Sequence, residues 1–545
     1  MTLYRCHLCG TSSNSNSLEG ARIVKAGSHL MVDLDAAPAK ESRHYTLLNS
    51  NEVPLESDFP SITALLSETD APLAALDEEI AKVRERLEEL ESRRTILFDF
   101  RQRNSAILSP LRRMPPEVLG EIFYWASPMP QDIPMRRKFS LSDSPWSFTH
   151  VCRRWRAISI GRPSLWSLVA ISYHDDVDPA SSYPFPMVET QIERSQAQQL
   201  KIHFYGCESG TAEPQVKIFG YLAKYASRWE ELSLGLTSAL LPFQSGLQGC
   251  IPNLRRLWVE WIHSASQVSA ERVEGFDVAP SLVDAGVFNE HRFIPLSLPT
   301  HQLTRYELDG PWDSHRNMLK LATNLVEARI FVAFDDTLWQ NSDENISVPS
   351  LKRLYVSHAE VLQFLTFPCL EELAVQVQEH EITFFSTHIH TSLSRSSCPL
   401  RALCIAGYPI SAETLRNLPS TITELMILIN DPAAPRMKAD LLVADLANER
   451  GDGFILPQLT RIFLGYEVEG GMNFALYLDI LGSRFTSPKA ALAAAALLIL
   501  TNQELDPGVS EKIGELRSEG LDLAFLRDSE AREAARRWTF LSPWN

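Results

Sequence analysis

The chain has 545 residues, a formal net charge of −17 and a hydrophobic share of 45%. Its length predicts about two to four structural units, and its apolar share is sufficient for sizeable cores. The negative charge argues against broad electrostatic binding of nucleic acid or an anionic membrane, because both need an excess of Lys and Arg.

The cysteine usage and the N-terminal residues predict a location. The eight cysteines are few and scattered, which is typical of reduced thiols in an intracellular protein. The first residues, MTLYRCHLCGTSSNSNS, lack the apolar core of a signal peptide. The most apolar run, residues 490–500, is too short to cross a hydrocarbon layer of about 30 Å, and we interpret it as a buried helix. We therefore expect cytoplasm and/or nucleus.

Residues 1–70 are rich in Ser, Asn, Asp and Pro, and we expect them to be disordered or loosely ordered. Cys6 and Cys9 form a single C-x-x-C pair. A structural zinc site needs about four ligands, so this pair is either half of a shared site or two plain thiols. Elsewhere we predict no metal site and no cofactor. His380 and Glu381, for example, are followed by Phe384 where a zinc-protease motif requires a second His.

Residues 72–105 predict a coiled-coil-like helix. Apolar residues recur there at alternating spacings of four and three, with charged residues between them: Leu76, Ile80, Val83, Leu87 and Leu90. This is a heptad seam of two to three repeats. Such a helix packs either on its own protein or on a second copy, so a homodimer is one of two outcomes that the pattern allows.

Residues 107–170 contain two amphipathic segments. The first, residues 109–126, begins at Pro115 and Pro116, which suit a helix start, and carries the apolar residues Val118, Leu119, Ile122 and Phe123. The second, residues 145–161, has five residues predicted to share one face: Phe148, Val151, Cys152, Trp155 and Ile158. Gly161 is a natural stop, and Leu165 and Trp166 follow it.

This order of motifs resembles the F-box. The sequence reads Met-Pro-x-Glu-Val-Leu-x-x-Ile-Phe, then a Pro-rich linker, then Val-Cys-Arg-x-Trp and Pro-x-Leu-Trp. The segments upstream of it also resemble a large fungal family of F-box-like proteins, which continue into degenerate leucine-rich repeats. Two departures are Met114, where that family usually has Leu, and the long linker over residues 127–143.

The resemblance implies a surface that binds a Skp-type adaptor, and through it cullin and RING subunits. Matched by position, the adaptor-binding residues are Pro115, Glu117, Val118, Leu119, Ile122, Phe123, Val151, Cys152, Trp155, Leu165 and Trp166. Among these we expect Pro115, Leu119 and Trp166 to face the partner. We expect Ile122, Val151 and Trp155 to face the internal core, and Cys152 to be buried.

Residues 195–486 predict an irregular array of strands. The form L-x-x-L-x-V begins at Leu254, Leu351, Leu370 and Leu400, and weaker copies begin at Trp229, Leu282, Leu303, Leu325, Ile422 and Leu459. Most successive starts differ by about 20–29 residues, the period of leucine-rich repeats. The Asn or Cys of that consensus is missing from most copies. The alternatives are therefore a degenerate leucine-rich-repeat-like solenoid and an open α/β layer of another kind. Residues 487–545 predict a helical C-terminal cap.

Strand residues that alternate with the core positions are candidates for binding a target protein. An Arg/aromatic pair recurs there, at Arg256 and Trp258, Arg353 and Tyr355, and Arg461 and Phe463. Such residues are common interface anchors, although the pattern could equally be a surface without function.

The predicted architecture is thus multidomain, α plus α/β: a coiled-coil segment, a three-helix F-box and a repeat array. The resemblance to the F-box family implies a non-catalytic substrate-recognition subunit of an SCF-type (cullin–RING) ubiquitin ligase, acting in protein degradation. The alternative is an F-box scaffold without target ubiquitination. No sequence motif supports an enzyme in the C-terminal half.

Overall fold

The computed structural model describes residues 42–127, 139–173, 183–208, 212–268, 270–335, 345–431, 436–447, 454–467, 473–500 and 507–539, with two short strands, Tyr4–Arg5 and Ser12–Ser13. The chain divides into two compact units, Met1–Met114 and Pro115–Asn545. Cys6 and Cys9, the candidate half of a metal site, lie outside the described residues.

The first unit is helical, with α1 at Arg43–Asn49, α2 at Phe59–Ile107 and α3 at Pro110–Arg113. The predicted helix over 72–105 is therefore present, but it starts earlier, and residues 1–70 contain α1 and the first turns of α2. The prediction placed the helix start at Pro72, which instead lies inside α2. A proline within a helix removes one hydrogen bond but leaves the rest of the helix in place. No residue of α2 is buried.

The second unit begins with short helices: α4 at Pro116–Trp125, α5 at Phe148–Val151, α6 at Arg153–Ile160 and a 3₁₀ turn at Pro163–Trp166. The predicted continuous segment over 145–161 is wrong in one respect. Cys152 has extended backbone angles and separates α5 from α6. Because the helical phase is interrupted there, the five predicted residues do not form the face of one continuous helix.

A parallel sheet dominates the second unit. Within the described residues it has fourteen strands, β1 to β14, at Leu168–Ser172, Leu200–Tyr205, Trp229–Leu236, Arg256–Trp261, Asp284–Phe288, Arg305–Gly310, Glu327–Val332, Arg353–Val356, Glu372–Val377, Ala402–Gly407, Glu424–Ile429, Arg461–Tyr466, Ala494–Ile499 and Asp522–Arg527. Each strand pairs with the strands before and after it in the sequence. Ile346–Ser347 and Leu365–Thr366 form a separate two-stranded pair.

The ten strand positions predicted from the L-x-x-L-x-V copies are all strands of this sheet. In nine of them the strand begins two residues after the first apolar residue of the motif, as Arg256 follows Leu254. The first apolar residue is fully buried in every copy, including the weak ones. Each predicted repeat thus buries one large apolar side chain at the same motif position, and this burial favours folding.

Two predicted boundaries are wrong. The sheet starts at β1, inside the segment predicted as the end of the F-box and well before residue 195. It also extends to β14, so the C-terminal region is not purely helical. The Ala-rich run over 490–500, predicted as a buried helix, contains strand β13. A parallel strand buried on both faces is a continuous apolar run, and such a run does not differ in pattern from a buried helix.

Helices connect the strands, with bounds Phe185–Ser195 (α7), Glu213–Ala223 (α8), Phe243–Leu247 (α9), Ser264–Val268 (α10), Trp312–Leu321 (α11), Ile382–Ser396 (α12), Ala412–Arg416 (α13), Arg436–Ala447 (α14), Phe474–Thr486 (α15), Pro507–Ser518 (α16) and Asp528–Thr539 (α17). Further 3₁₀ turns among the described residues are Ala226–Arg228, Thr300–Gln302, Ala359–Phe364 and Glu379–Glu381. Among the described residues, no helix is both long and apolar enough to cross a membrane.

The sheet has one core face and one face that we call the ladder face. The core face packs with α7, α8 and most of the other connecting helices into one large apolar cluster. The ladder face carries the alternate residues of each strand. Near the C-terminal end of the sheet it is covered by α17, whose Ala531, Ala535 and Trp538 pack in one cluster with Ala496 and Leu498 of β13.

Gly286 of β5 provides a test of packing on the ladder face. A Cβ atom at this position would lie 2.2 Å from the Trp258 ring, so we expect Gly286→Ala to lower the free energy of unfolding by about 1–3 kcal/mol. A Cβ atom added to Gly514 in α16 would meet no heavy atom within 4 Å. Gly514→Ala should therefore be neutral, or raise the free energy of unfolding by about 0.5–1 kcal/mol. Urea denaturation followed by tryptophan fluorescence measures both. Equal effects of the two substitutions would contradict this packing.

Candidate functional site

An aromatic core holds the short helices of the second unit together. The Phe123 ring of α4 is fully buried and stacks on Phe148 of α5, with ring centroids 4.5 Å apart. The same ring lies 4.6 Å from the Trp155 ring of α6. Because one α4 side chain contacts both other helices, the orientation of α4 is fixed by aromatic packing.

Trp166 joins this helical part to the sheet. It is fully buried, and its indole N–H donates a 2.8 Å hydrogen bond to the carbonyl of Ser159. Its ring contacts Trp146, with centroids 4.9 Å apart, and the Arg194 guanidinium of α7 lies 4.5 Å from its centroid. A partly buried cation over an aromatic face stabilises the contact, so Trp166 is a structural junction.

The other face of α4 is apolar and exposed. Leu119, Gly120 and Phe123 are its buried residues. Val118, Ile122 and Trp125 follow the helical spacing i, i+4 and i+7 on a different face, and they are 46%, 40% and 71% exposed. We call these three residues the α4 stripe. A row of apolar side chains on a well-packed helix is typical of an interaction surface.

The predicted adaptor-binding residues therefore separate into two groups. Leu119, Phe123, Leu165 and Trp166 are buried within the chain, and Trp155 is half-buried against Phe123. The exposed members are Pro115, Glu117, Val118, Ile122, Val151 and Cys152.

The predicted directions are wrong for five residues. Leu119 and Trp166, expected to face a partner, are buried within the chain, where Trp166 packs on Trp146 and donates to the carbonyl of Ser159. Ile122 and Val151, expected in the core, are 40% and 59% exposed. Cys152, expected to be buried, is exposed, and its sulfur accepts the Trp155 backbone N–H at the start of α6. A thiol in that capping role lies at the helix end and not among the core side chains.

On the ladder face, the first outward residues of successive strands form a continuous row of alternating charge. The strand register places them side by side, in the order Lys201, Glu231, Arg256, Asp284, Arg305, Glu327, Arg353 and Glu372. Every neighbouring pair is within ion-pair distance, between 2.8 and 3.9 Å. We call this row the charge ladder. It ends where Ala402 of β10 follows Glu372.

The acidic members of the ladder respond differently to burial. Burial alone would raise the pKa of Glu231, but His203, whose Nε2 lies 3.6 Å from a carboxylate oxygen of Glu231, and the charges of Lys201 and Arg256 bring that pKa below its ordinary value. Burial raises the pKa of Asp284, and the nearby Arg305 and Arg256 only reduce the shift. The attraction of the two neighbouring cations therefore offsets the free-energy cost of burying each carboxylate, Glu231 and Asp284.

The next row of the ladder face is partly aromatic. The Trp258 ring lies over Gly286. Arg329 pairs with Glu307 and places its guanidinium 5.1 Å from the centroid of the Tyr355 ring. Trp258 and Tyr355 are therefore both covered by side chains or backbone of the neighbouring strands.

The predicted target-binding residues all lie on this one face. Trp258 and Tyr355 are buried, and Phe463 is half-buried against Trp538, with ring centroids 5.4 Å apart. The arginine side chains of the same strands reach further into solvent: Arg256 is 52%, Arg353 37% and Arg461 57% exposed. The arginines are therefore the parts of this set that a partner could reach.

Sequence reasoning missed the acidic half of the ladder. Glu231, Asp284, Glu327 and Glu372 stand at the same motif position as the predicted arginines, two residues after the first apolar residue. The alternation of sign from one copy to the next was the available signal. This alternation indicates ion pairs only when the strands are known to be neighbours and their register is known.

No protein-family model matches the chain, and no curated protein matches it. Across the described residues, no group of three or more His, Cys, Asp or Glu side chains could hold a metal ion. The functional interpretation therefore depends on the chain's own residues.

Asp309, in β6, is a buried carboxylate with a shifted pKa. Its two oxygens accept the Asn289 backbone N–H at 2.6 Å, and one of them also accepts the Asn289 side-chain amide at 3.1 Å. Burial raises its pKa to about 7, against these hydrogen bonds. The folded protein therefore keeps a proton on Asp309 between about pH 4 and 7, where the unfolded chain has lost it. Stability from this group decreases as the pH rises through that window.

We expect Asp309→Asn to reduce the loss of unfolding free energy between pH 5 and pH 8 by about 2–3 kcal/mol. Urea denaturation at several pH values measures this slope. The matched control is Asp313→Asn, in the first turn of α11, whose side chain is 79% exposed; it should leave the slope as in the wild type. Identical slopes for wild type and Asp309→Asn would refute the assignment.

Proposed function

We propose that this protein is a non-catalytic substrate-recognition subunit of an SCF-type ubiquitin ligase, and that the α4 stripe binds the Skp-type adaptor. The observation that carries the proposal is the exposed apolar stripe Val118, Ile122 and Trp125, located within the ordered motifs that resemble an F-box. The stripe lies on a helix whose opposite side is held by Phe123, so it is a preformed surface.

The burial pattern refines the set of adaptor-binding residues. Pro115, Glu117, Val118 and Ile122 are exposed and are proposed to contact the adaptor, together with Trp125. Leu119, Phe123, Leu165 and Trp166 support the surface from inside. Val151 and Cys152 are exposed at the junction of α5 and α6, and they are proposed to form the edge of the same contact.

The sheet is proposed to be a degenerate leucine-rich-repeat-like solenoid. Two observations support this reading: strands pair in strict sequence order, and the first apolar residue of each predicted repeat is fully buried. α17 is proposed as its C-terminal cap, because it covers the apolar end of the ladder face. Such arrays use extended sheet faces for binding.

The target protein is proposed to bind the ladder face through Arg256, Arg353 and Arg461. Trp258, Tyr355 and Phe463 are proposed to position these arginines and not to anchor the target directly, because they are buried or half-buried. The protein then contributes proximity: it holds the target near the transferring enzyme and makes the encounter local. The alternative is a scaffold that binds the adaptor without ubiquitination of a target.

The experiment is affinity purification of the full chain with quantitative mass spectrometry. Ile122→Lys should reduce recovery of the adaptor and cullin at least about tenfold, because a charge on the stripe opposes apolar burial. The matched control is Leu321→Lys at the end of α11, which is 59% exposed and should leave recovery unchanged. Leu119 is unsuitable for this purpose, since it is buried and its loss would disturb the helices themselves.

The outcomes separate the hypotheses. Absence of adaptor and cullin from the wild-type eluate, or full recovery with Ile122→Lys, would refute docking through the stripe. Arg353→Ala combined with Arg461→Ala should retain the adaptor and lose the target, because the carboxylates beside these two arginines are only half-buried. If the adaptor is bound and no associated protein gains ubiquitin or changes in abundance, the scaffold alternative is correct.

A further inference from the structure

The long helix α2 carries a heptad seam that its own unit leaves uncovered. The apolar residues of the seam are between 47% and 62% exposed, and they are Leu66, Leu73, Leu76, Ile80, Val83, Leu87 and Leu90. They alternate at spacings of three and four, apart from Thr69 between the first two. No residue of the 49-residue helix is buried. A helix with so much exposed apolar surface, and with no buried residue to hold it among the described residues, is expected to be marginal in water.

The charges beside the seam indicate which partner fits it. With Leu73, Ile80 and Leu87 at position a and Leu76, Val83 and Leu90 at position d, the four flanking g and e positions that carry charge on both sides of a parallel contact are Glu79, Arg84, Arg86 and Glu91. Asp77 and Arg93 also flank the seam, but their counterparts across a parallel pair are the uncharged Pro72 and Phe98. In a parallel, in-register pair, each g residue lies beside the e residue five positions later on the partner helix. Glu79 then faces Arg84, and Arg86 faces Glu91, each twice per dimer. All four contacts join opposite charges.

The side chains needed for these contacts are accessible. Glu79, Arg84 and Glu91 take part in none of the ion pairs along the described helix. Arg86 pairs with Glu89 of its own chain through a side chain that is 60% exposed. Exchanging an exposed intrahelical pair for an interhelical one carries little cost, since exposed pairs contribute little.

An antiparallel pairing fits less well. With Ile80 opposite Val83, Glu79 meets Arg86 and Asp77 meets Arg84, but Glu91 then meets Asp70. The parallel pairing places no two like charges together at these flanking positions. Arg94, at position a, ends the apolar seam; its long stem can lie along the seam while its charge reaches water.

We propose that α2 associates with α2 of a second copy of this chain as a parallel, in-register, two-stranded coiled coil. The seam from Leu66 to Leu90 spans roughly 37 Å of helix. Both chains leave such a coil at the same end, so each dimer presents two copies of the second unit. Two weak target contacts on one dimer would bind with increased avidity. The proposal does not depend on adaptor binding.

Sedimentation equilibrium of the full chain tests the pairing. The wild type should have twice the chain mass of 61.3 kDa. Glu79→Arg with Glu91→Arg makes all four flanking positions positive, and Arg84→Glu with Arg86→Glu makes all four negative. Each double variant alone should dissociate at least about tenfold more readily than the wild type. An equimolar mixture of the two variants should form a heterodimer as stable as the wild-type dimer, since each flanking contact then joins opposite charges.

Disulfide cross-linking distinguishes the parallel from the antiparallel pairing of the two α2 helices. Leu90→Cys lies at position d, beside its counterpart in a parallel pair and about 26 Å from it in the antiparallel pairing. Mild oxidation followed by mass spectrometry of the linked peptides should give a disulfide between the two substituted positions. The wild type, whose α2 has no cysteine, is oxidised in parallel to identify dimers linked through the exposed Cys152, Cys250 or Cys369. A monomeric wild type, a mixture that fails to recover the dimer, or a Leu90→Cys dimer that does not cross-link would each overturn the proposal.

Discussion

Burial of one apolar side chain at the start of each strand is the constraint on which the large sheet depends. Leu254, Leu351, Leu370 and Leu400 are all fully buried, and each lies two residues before its strand. A fixed anchor at a fixed distance sets which strand residues point inward. Because neighbouring strands share this anchor, their outward residues also fall into rows. The charge ladder is a consequence of that register.

The ladder face changes character along the sheet. From β2 to β9 its first row is ionic, and each buried carboxylate is compensated by the cations on both sides. From β10 onward the face is mostly apolar, with Cys404, Met426 and Leu498 in one buried cluster. The helix α17 folds onto that part, because exposed apolar residues at the end of a sheet would otherwise remain in water. The polar part is left as the surface proposed for a target.

Two helices carry apolar residues that their own units do not cover. On α4 the exposed stripe lies opposite a packed aromatic core, so the helix is held firmly while one face stays in contact with solvent. On α2 no residue is buried at all. The first arrangement suits a preformed docking surface, and the second suits a helix that acquires its stability from a partner. The two proposed contacts are therefore different in kind.

The sequence by itself determined ten of the fourteen strand positions, because each of these depends on a local motif and a period. It also determined the helical character of α2 and α4, through periodicity and prolines at helix starts. It could not determine which face of α4 is covered, since Leu119 and Ile122 are equally apolar and only the packing of Phe123 on Phe148 and Trp155 separates them. The run over 490–500 was misread for a related reason: a strand covered on both faces has the same composition as a buried helix, and α17 supplies the second cover from a distant part of the chain. The charge ladder likewise exists only in three dimensions, because its alternating residues lie about 20 to 30 positions apart and become neighbours through strand pairing.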